Sequence, residues 1–349
     1  MGVDDYIWAM PKVELHLHLE GSIRPEILLE LADRHGVELP VKSLEDVQRW
    51  YIFRDFDHFV QIYINIVKVL LNPDDFSLIT YDLGRTLAAQ NVRYAEVTWT
   101  PSLHVNKPGM SFEHLLDGIN HGLDLARQAF GIDMRWIPDI ARNLDAKIAV
   151  KLAKWISSPY AQANGVVALG LGGQEVGYPP ELFEDAFTLA RQNGLPGNPH
   201  AGEMMGPESI WGSLRNLQAV RIGHGVRAIE DPELVDYLVE HQVPIEVNPT
   251  SNLCLGVYPN YGAHPIKTLF DAGVLVTLNS DDPPMFNTTI NDEYYHAYYD
   301  CGLSLDELET IALNAVKVTY LPDHQKAKML TQFEAEYRHL RRVHGLNER

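Results

Sequence analysis

Histidine and aspartate side chains that could bind a metal ion lie in a few short segments of the sequence. His16 and His18 alternate along a predicted strand, so both imidazoles can face the same side of a sheet. His200 and Asp281 fall at the carboxyl ends of two later predicted strands. Three neutral imidazoles and one carboxylate suit Zn²⁺, and a catalytic zinc keeps a further position for water. We therefore predict one zinc ion per subunit, bound by His16, His18, His200 and Asp281.

A zinc ion at these ligands would lower the pKa of its bound water towards about 7 and so provide a hydroxide nucleophile. His224 closes the predicted strand that follows that of His200, and we expect it to act as a general base or electrostatic partner. A fifth ligand and a second metal site are the alternatives for His224. Hydrolytic barrels with two metals often use a modified lysine after the fourth strand, and Gly170–Glu175 contains no lysine. One metal is therefore favoured.

Short apolar runs alternate with segments of helical periodicity and supply the elements that must position these residues. Eight runs are predicted strands, at residues 13–19, 92–98, 134–140, 166–171, 195–200, 220–224, 244–248 and 274–279. Strands that alternate with helices pair in parallel, and eight such units favour a closed TIM (β/α)₈ barrel over an open doubly wound sheet. The candidate residues then meet at the carboxyl-terminal mouth of the barrel, where active sites are built.

The connection between the first two predicted strands is much longer than a βα unit needs. Its pattern predicts four helices within approximately residues 22–90, and we expect this α-helical insertion to form a lid over the barrel mouth. Its aromatic residues are expected to pack as helix core rather than to form a wall of the substrate site. These residues are Phe53, Phe56, Phe59 and Tyr63.

The composition limits the domain organisation and the partners. The 349 residues carry a net charge of −19, which argues against duplex nucleic acid or an anionic membrane and favours a small-molecule partner. Cys254 and Cys301 are too few for a disulfide framework, and the chain starts without a secretory pattern, so we expect a cytoplasmic protein. Without a linker or repeat, residues 1–349 are predicted to form a single domain of undetermined oligomeric state.

Four sequence blocks together resemble the adenosine deaminase family. They are Pro11–Gly21, His200-Ala-Gly-Glu203, Arg221-Ile-Gly-His-Gly225 and Asn279-Ser-Asp-Asp-Pro283, and they occur in the order of the family. The resemblance implies a zinc-dependent hydrolase that replaces the 6-amino group of an adenine ring with oxygen and releases ammonia. It also implies a (β/α)₈ barrel with a helical lid, in agreement with the strand count.

The resemblance further implies roles for individual residues. Glu203 corresponds to the glutamate that faces purine N1 and transfers a proton, which makes C6 electrophilic. His224 and Asp281 would stabilise the tetrahedral intermediate. Asp282 is implied to recognise purine N7, and Gly173 to contact N3 through its backbone.

Departures from the family pattern bear on the substrate. We expect Glu20 and His18 beside the substrate, and adenosine deaminases proper usually have aspartate, near the ribose 5′-hydroxyl, where Glu20 stands. A longer carboxylate could narrow the ribose space, as in relatives that act on free adenine. The family block that corresponds to Gly170–Glu175 usually has two further acidic residues, which this sequence lacks. Nucleoside deaminases are instead more similar to this chain at Arg221–Gly225 and Pro249–Asn252. We predict an adenosine-type nucleoside, adenosine or a 5′-modified form such as aminodeoxyfutalosine; the alternative is adenine deaminase.

Two other classes of function are disfavoured. The His-x-Glu and Pro-Cys-x-x-Cys pattern of cytidine-type deaminases is absent from the sequence. A non-catalytic binding module on the same barrel would be expected to have lost a ligand or the proton shuttle. The set is complete, with His16, His18, His200, Glu203, His224 and Asp281.

Overall fold

The computed structural model describes residues 2–105 and 107–347. Its centre is a sheet of eight parallel strands in sequential order. The strands are β1 (Lys12–Glu14), β2 (Val92–Trp99), β3 (Asp133–Ala141), β4 (Leu169–Gly172), β5 (Gly197–Ala201), β6 (Ile222–His224), β7 (Ile245–Val247) and β8 (Val276–Leu278). A parallel bridge between Leu17 and Asp281 joins the chain after β1 to the chain after β8. The predicted TIM barrel is confirmed.

Seventeen α-helices surround or cover this barrel within the described residues. They are α1 (Val3–Ala9), α2 (Pro25–His35), α3 (Leu44–Trp50), α4 (Phe56–Val67), α5 (Pro73–Ala89), α6 (Phe112–Phe130), α7 (Ala146–Ile156), α8 (Pro159–Ala163), α9 (Glu184–Gln192), α10 (Pro207–Arg215), α11 (Pro232–Glu240), α12 (Pro249–Cys254), α13 (Ile266–Asp271), α14 (Pro283–Phe286), α15 (Ile290–Tyr299), α16 (Leu305–Val318) and α17 (Asp323–His344). Among residues 2–105 and 107–347, no helix has both the length and the apolarity to cross a bilayer.

The helices bury an apolar face against the strands, as their periodicity predicts. In α6, Leu115, Leu116, Ile119 and Leu123 are buried, and they recur at the spacing of one helix face. Ser111 caps the start of α6 by accepting a hydrogen bond from the His114 backbone N–H. Local sequence signals therefore set both the position and the orientation of this helix.

The first strand is shorter than predicted. β1 ends at Glu14, because the N–H of Leu15 donates to the side-chain Oδ1 of Asn279 at 2.9 Å instead of to a backbone carbonyl. Beyond this point His18 still donates its N–H to the Asp281 carbonyl at 2.9 Å. The chain remains extended between its two neighbours, so His16 and His18 still face the barrel interior although they lie outside the strand.

The insertion between β1 and β2 contains α2, α3, α4 and α5, within the predicted 22–90. Residues of α4 line the cavity at the barrel mouth. The single domain over residues 1–349 remains a prediction.

Candidate active site and metal centre

Four side chains predicted as metal ligands meet at the barrel mouth. His18 Nε2 lies 3.1 Å from His200 Nε2. Asp281 Oδ1 lies 3.5 Å from His16 Nε2 and 3.4 Å from His18 Nε2. All four residues are buried, and His16 Nε2 makes no hydrogen bond. Imidazole nitrogens and a carboxylate oxygen at these separations form a donor set that fits a divalent cation.

The carboxylates around His16 favour a positive charge on this ring, whereas burial lowers the pKa of His18 and of His200. Burial opposes protonation of His16, but Asp281 and Glu246 outweigh burial and raise its pKa to about 10. Burial likewise opposes ionisation of Asp281, but the His16 ring beside it outweighs burial and lowers the pKa of this carboxyl below its ordinary range. A divalent cation bound here would supply the positive charge that protonation of His16 supplies in its absence.

Two of the site residues have an unusual backbone conformation. His224 has a φ of 58° and Asp281 a φ of 64°, both in the left-handed region. Non-glycine residues there cost roughly 1–3 kcal/mol and cluster at functional sites. His224 is the last residue of β6, and Asp281 follows β8. Both residues lie where the chain leaves the barrel, with their side chains in the central cluster.

Amide groups determine which nitrogen of His224 carries the proton. Asn248 Nδ2 lies 3.2 Å from His224 Nδ1 and also donates to the backbone carbonyl of Glu246 at 3.1 Å. Because a carbonyl only accepts, this second bond identifies Nδ2 as the atom that faces His224. Asn252 Nδ2 approaches the same ring nitrogen at 3.3 Å. Nδ1 therefore accepts, and the proton of the neutral ring lies on Nε2.

The protonated Nε2 of His224 faces the centre of the site. It lies 3.7 Å from Glu203 Oε1 and 3.9 Å from Asp281 Oδ2. Burial lowers the pKa of His224 to about 3, so the ring is neutral at physiological pH. His224 can thus donate a hydrogen bond to an oxygen or nitrogen that enters the site.

Two further carboxyl groups at the mouth are biased towards the protonated form. Burial, together with the charge of Asp281, raises the pKa of Glu203 well above its ordinary value. The same two causes raise the pKa of Asp282. A Cβ on Gly21 would lie 1.5 Å from Asp282 Oδ1, so only glycine leaves room for this carboxyl. The site therefore combines an ionised carboxylate with carboxyl groups able to donate protons.

A cavity of about 120 Å³ opens above this cluster. Its lining includes His18, Gly173, His200, Glu203, His224, Asp281 and Asp282, and residues of α4 form a further wall. Phe56, Phe59 and Tyr63 line that wall. The expected packing as core is confirmed for Phe56 and Phe59, whereas the expectation that these residues do not form a wall is wrong. Phe53 does not line the cavity and faces a neighbouring cleft. Phe56 and Phe59 are also buried in the hydrophobic core, so α4 contributes to both the core and the cavity lining.

Glu20 is not part of the cavity wall. Its Oε1 accepts hydrogen bonds from the Thr100 backbone N–H at 3.0 Å and from His104 Nε2 at 3.1 Å, and all three residues are buried. Oε1 is therefore held inside the protein next to the cavity, and Oε2 is buried without a hydrogen-bond partner. His104 was absent from the sequence predictions, because a lone histidine after a short turn carries no motif.

Sequence reasoning also missed Glu246 and Asp139. Glu246 Oε2 lies 3.0 Å from His16 Nδ1, which orients this ring and leaves its Nε2 for a cation. Arg221 Nε in turn lies 2.8 Å from Glu246 Oε1. Asp139 lines the cavity, and burial raises its pKa to about 8. A single acidic residue inside an apolar strand was the available signal for both.

A buried cluster of histidine and aspartate at the carboxyl-terminal mouth of a parallel eight-stranded barrel defines an amidohydrolase-type (β/α)₈ enzyme. The sequence model of one such family, adenosine deaminase, matches residues 11–336. The chain belongs to the adenosine deaminase family and is a hydrolytic deaminase. The resemblance of the four blocks is confirmed.

Individual relatives agree with this assignment. The chain is 38% identical to the aminodeoxyfutalosine deaminase of Streptomyces avermitilis over 329 residues, which cover 94% of this chain and 92% of the relative. The crystal structure of adenine deaminase from Arthrobacter aurescens matches with a TM-score of 0.89 and 32% identity, covering 94% and 99%. An amidohydrolase structure from Burkholderia ambifaria with bound Zn has a TM-score of 0.89 and 27% identity, covering 98% and 94%.

Proposed function

We propose that this chain deaminates an adenosine-type nucleoside, either adenosine or a 5′-modified form such as aminodeoxyfutalosine. The main support for this proposal is the position of Glu20, which accepts hydrogen bonds from Thr100 and His104 and does not line the cavity. A carboxylate held there does not narrow the space for a ribose. The similarity to a relative named aminodeoxyfutalosine deaminase supports the same class of substrate.

The metal is proposed to be zinc, held by His16, His18, His200 and Asp281. The donor atoms of His16, His200, His224 and Asp281 all lie within 4.8 Å of one another, and His18 Nε2 lies 3.1 Å from His200 Nε2 and 3.4 Å from Asp281 Oδ1. These imidazoles and the carboxylate support zinc, as does the zinc bound in the Burkholderia structure, and the position of His224 keeps its alternative role as a fifth ligand open. A divalent cation bound there acidifies a water molecule and provides a nucleophile at neutral pH.

The protein groups of the site would then act on the purine. Glu203, buried and protonated, donates to N1 and withdraws electrons from C6. His224 donates its Nε2 proton in a hydrogen bond to the oxygen that adds at C6. Asp282 donates to N7, and the backbone N–H of Gly173, beside the cavity, contacts N3. The hydroxyl proton of this oxygen passes to the amino group, which leaves C6 as ammonia, and the inosine-type product with a proton on N1 remains.

A second candidate is deamination of free adenine. The cavity of about 120 Å³ is smaller than the roughly 300–1,000 Å³ of most ligand sites. A free base needs less of this volume than a nucleoside does. The volume therefore favours the base, and the orientation of Glu20 favours the nucleoside.

A cytoplasmic location and small-molecule partners form part of the same proposal. Cys254 and Cys301 are both free, as expected of a reducing compartment. The net charge of −19 disfavours polyanionic partners, since these require clustered basic residues.

The substrate is tested by following purine absorbance with a panel of 6-aminopurines. The panel contains adenosine, 2′-deoxyadenosine, 5′-deoxyadenosine, methylthioadenosine, aminodeoxyfutalosine, adenine and AMP. We expect the highest kcat/KM for a nucleoside, and the ranking of 5′-substituents then identifies the preferred one. Turnover of adenine with poor turnover of every nucleoside would overturn the proposal in favour of the second candidate.

A further inference from the structure

One buried carboxylate holds the turn that carries Glu203. Glu175 lies after β4, is 2% exposed, and accepts hydrogen bonds from four consecutive backbone N–H groups. The donors are Gly202 at 2.9 Å, Glu203 at 3.1 Å, Met204 at 2.7 Å and Met205 at 2.9 Å. The backbone on both sides of Glu203 is thus bound to the side chain of Glu175.

The local sequence is adapted to this arrangement. Gly202 has a φ of 70°, in the left-handed region, and a Cβ there would lie 2.4 Å from Ile210 Cδ1. The left-handed residue reverses the chain so that successive N–H groups converge on one anion. Ser209, in α10, adds a fifth bond from its Oγ to Glu175 Oε1 at 2.6 Å.

A buried cation holds the same turn from its other side. Arg142 donates from Nη2 to the carbonyl of His200 at 2.6 Å and from Nη1 to the carbonyl of Tyr178 at 2.5 Å. Hydrogen bonds to ionised groups are about twice as strong as neutral ones. The chain from His200 to Met205 is therefore bound by a guanidinium at its start and by a carboxylate along its remainder.

We propose that Glu175 is a positioning residue that holds the Glu203 carboxyl against the purine ring. The inference rests on the proposed contact of Glu203 with N1. Proton transfer needs heavy atoms about 2.6–3.2 Å apart, and a displacement of about 1 Å can cost ~100-fold in rate. Glu175→Gln would replace an acceptor oxygen with an NH₂ group that faces N–H donors, which forces the turn to shift.

The first test compares Glu175→Gln with Glu208→Gln. Glu208 lies in the same turn region, is exposed, and accepts one backbone hydrogen bond, from Gly206 at 3.2 Å. With the substrate that the panel identifies, we expect E175Q to lose about 100-fold in kcat with KM and zinc content little changed. E208Q should keep the kcat of the parent. Loss of zinc or a rise in KM alone in E175Q would overturn the positioning role.

A double-mutant cycle with Glu203→Gln separates this inference from the proposed function. If Glu175 acts through Glu203, adding E175Q to E203Q costs almost nothing further. An equal loss in both backgrounds would overturn the inference while leaving the role of Glu203 intact. Full activity of E203Q itself would instead overturn the proposed function.

Ser209→Ala is a second variant that tests the same inference if E175Q does not fold. This variant removes the fifth bond and retains the charge. We expect kcat to fall severalfold in the parent and to stay unchanged when the substitution is added to E203Q. Unchanged kcat of S209A in the parent would overturn the inference in that case.

Discussion

At the scale of single residues, different surroundings give two acids of the site opposite protonation states. Asp281 is kept ionised by His16, while Glu203 is kept protonated by burial and by the charge of Asp281 itself. Active sites commonly place two acids in different environments, so that their pKa values differ. One acid is then ionised and the other protonated at the same pH. Glu203 is thereby suited to donate a proton at neutral pH, and Asp281 to bind a cation.

Glu203→Gln should keep the metal and lose most turnover. The substitution preserves size and leaves the ligand set intact, but glutamine cannot transfer a proton to the ring. General acid catalysis contributes about 10²–10⁴-fold, so we expect kcat to fall by at least ~100-fold. Steady-state kinetics with zinc content measured on the same preparation test this prediction. Turnover within tenfold of the parent would contradict it.

Glu246→Gln should weaken zinc binding, because it removes the anion that orients His16. Partners of this kind change metal affinity by about 10–100-fold. Competition with a chromophoric chelator measures the change. Glu309→Gln is the matched control, since Glu309 is also buried and bonded to an arginine, with Arg341 Nε at 2.6 Å, far from the cluster. An equal loss of zinc affinity in both variants would show that the effect comes from general destabilisation of the fold.

At the scale of elements, α4 connects the stability of the insertion to the substrate site. It begins after Asp55, whose side chain accepts from the His58 N–H at 2.8 Å, and its aromatic residues form the cavity wall. The cap itself is exposed and does not line the cavity. The order of this helix can therefore be changed without altering any group that lines the site.

Asp55→Ala should raise KM without changing the metal content. Loss of an N-cap costs about 1 kcal/mol, which populates states in which the wall of the cavity is frayed. Ser111→Ala removes the equivalent cap of α6 on the outside of the barrel and is the control. We expect faster amide exchange in α4 and a higher KM for D55A alone. Equal KM values in the two variants would contradict a role of α4 in binding.

At the scale of the whole molecule, the proposed ligands come from distant parts of the barrel. His16 and His18 follow the first strand, His200 lies on the fifth, and Asp281 follows the last. The bridge between Leu17 and Asp281, which joins the two ends of the sheet, lies among these ligands. A cation bound there would hold together the two ends of the sheet and would also take part in the chemistry at the barrel mouth.

Removal of the metal should therefore lower the stability of the entire fold. Free zinc at about 100 times Kd stabilises by ~2.7 kcal/mol, which for a chain of 349 residues corresponds to a Tm shift of about 4 °C. Thermal melts after chelation and after return of zinc measure this shift. His200→Ala lacks a ligand and should not respond to zinc. A Tm that is independent of zinc in the unaltered protein would contradict the predicted centre.

The amino-acid sequence by itself determined the strand count, the helical insertion and the residues of the central cluster. These follow from local periodicity and from polar residues at strand ends, and both are properties of neighbouring positions along the chain. The tertiary structure alone decided the partners of those residues. His16 meets Glu246, Glu203 is held by Glu175, and Glu20 turns away from the cavity to His104. The closing of the barrel creates such contacts between distant positions, and periodicity contains no information about them.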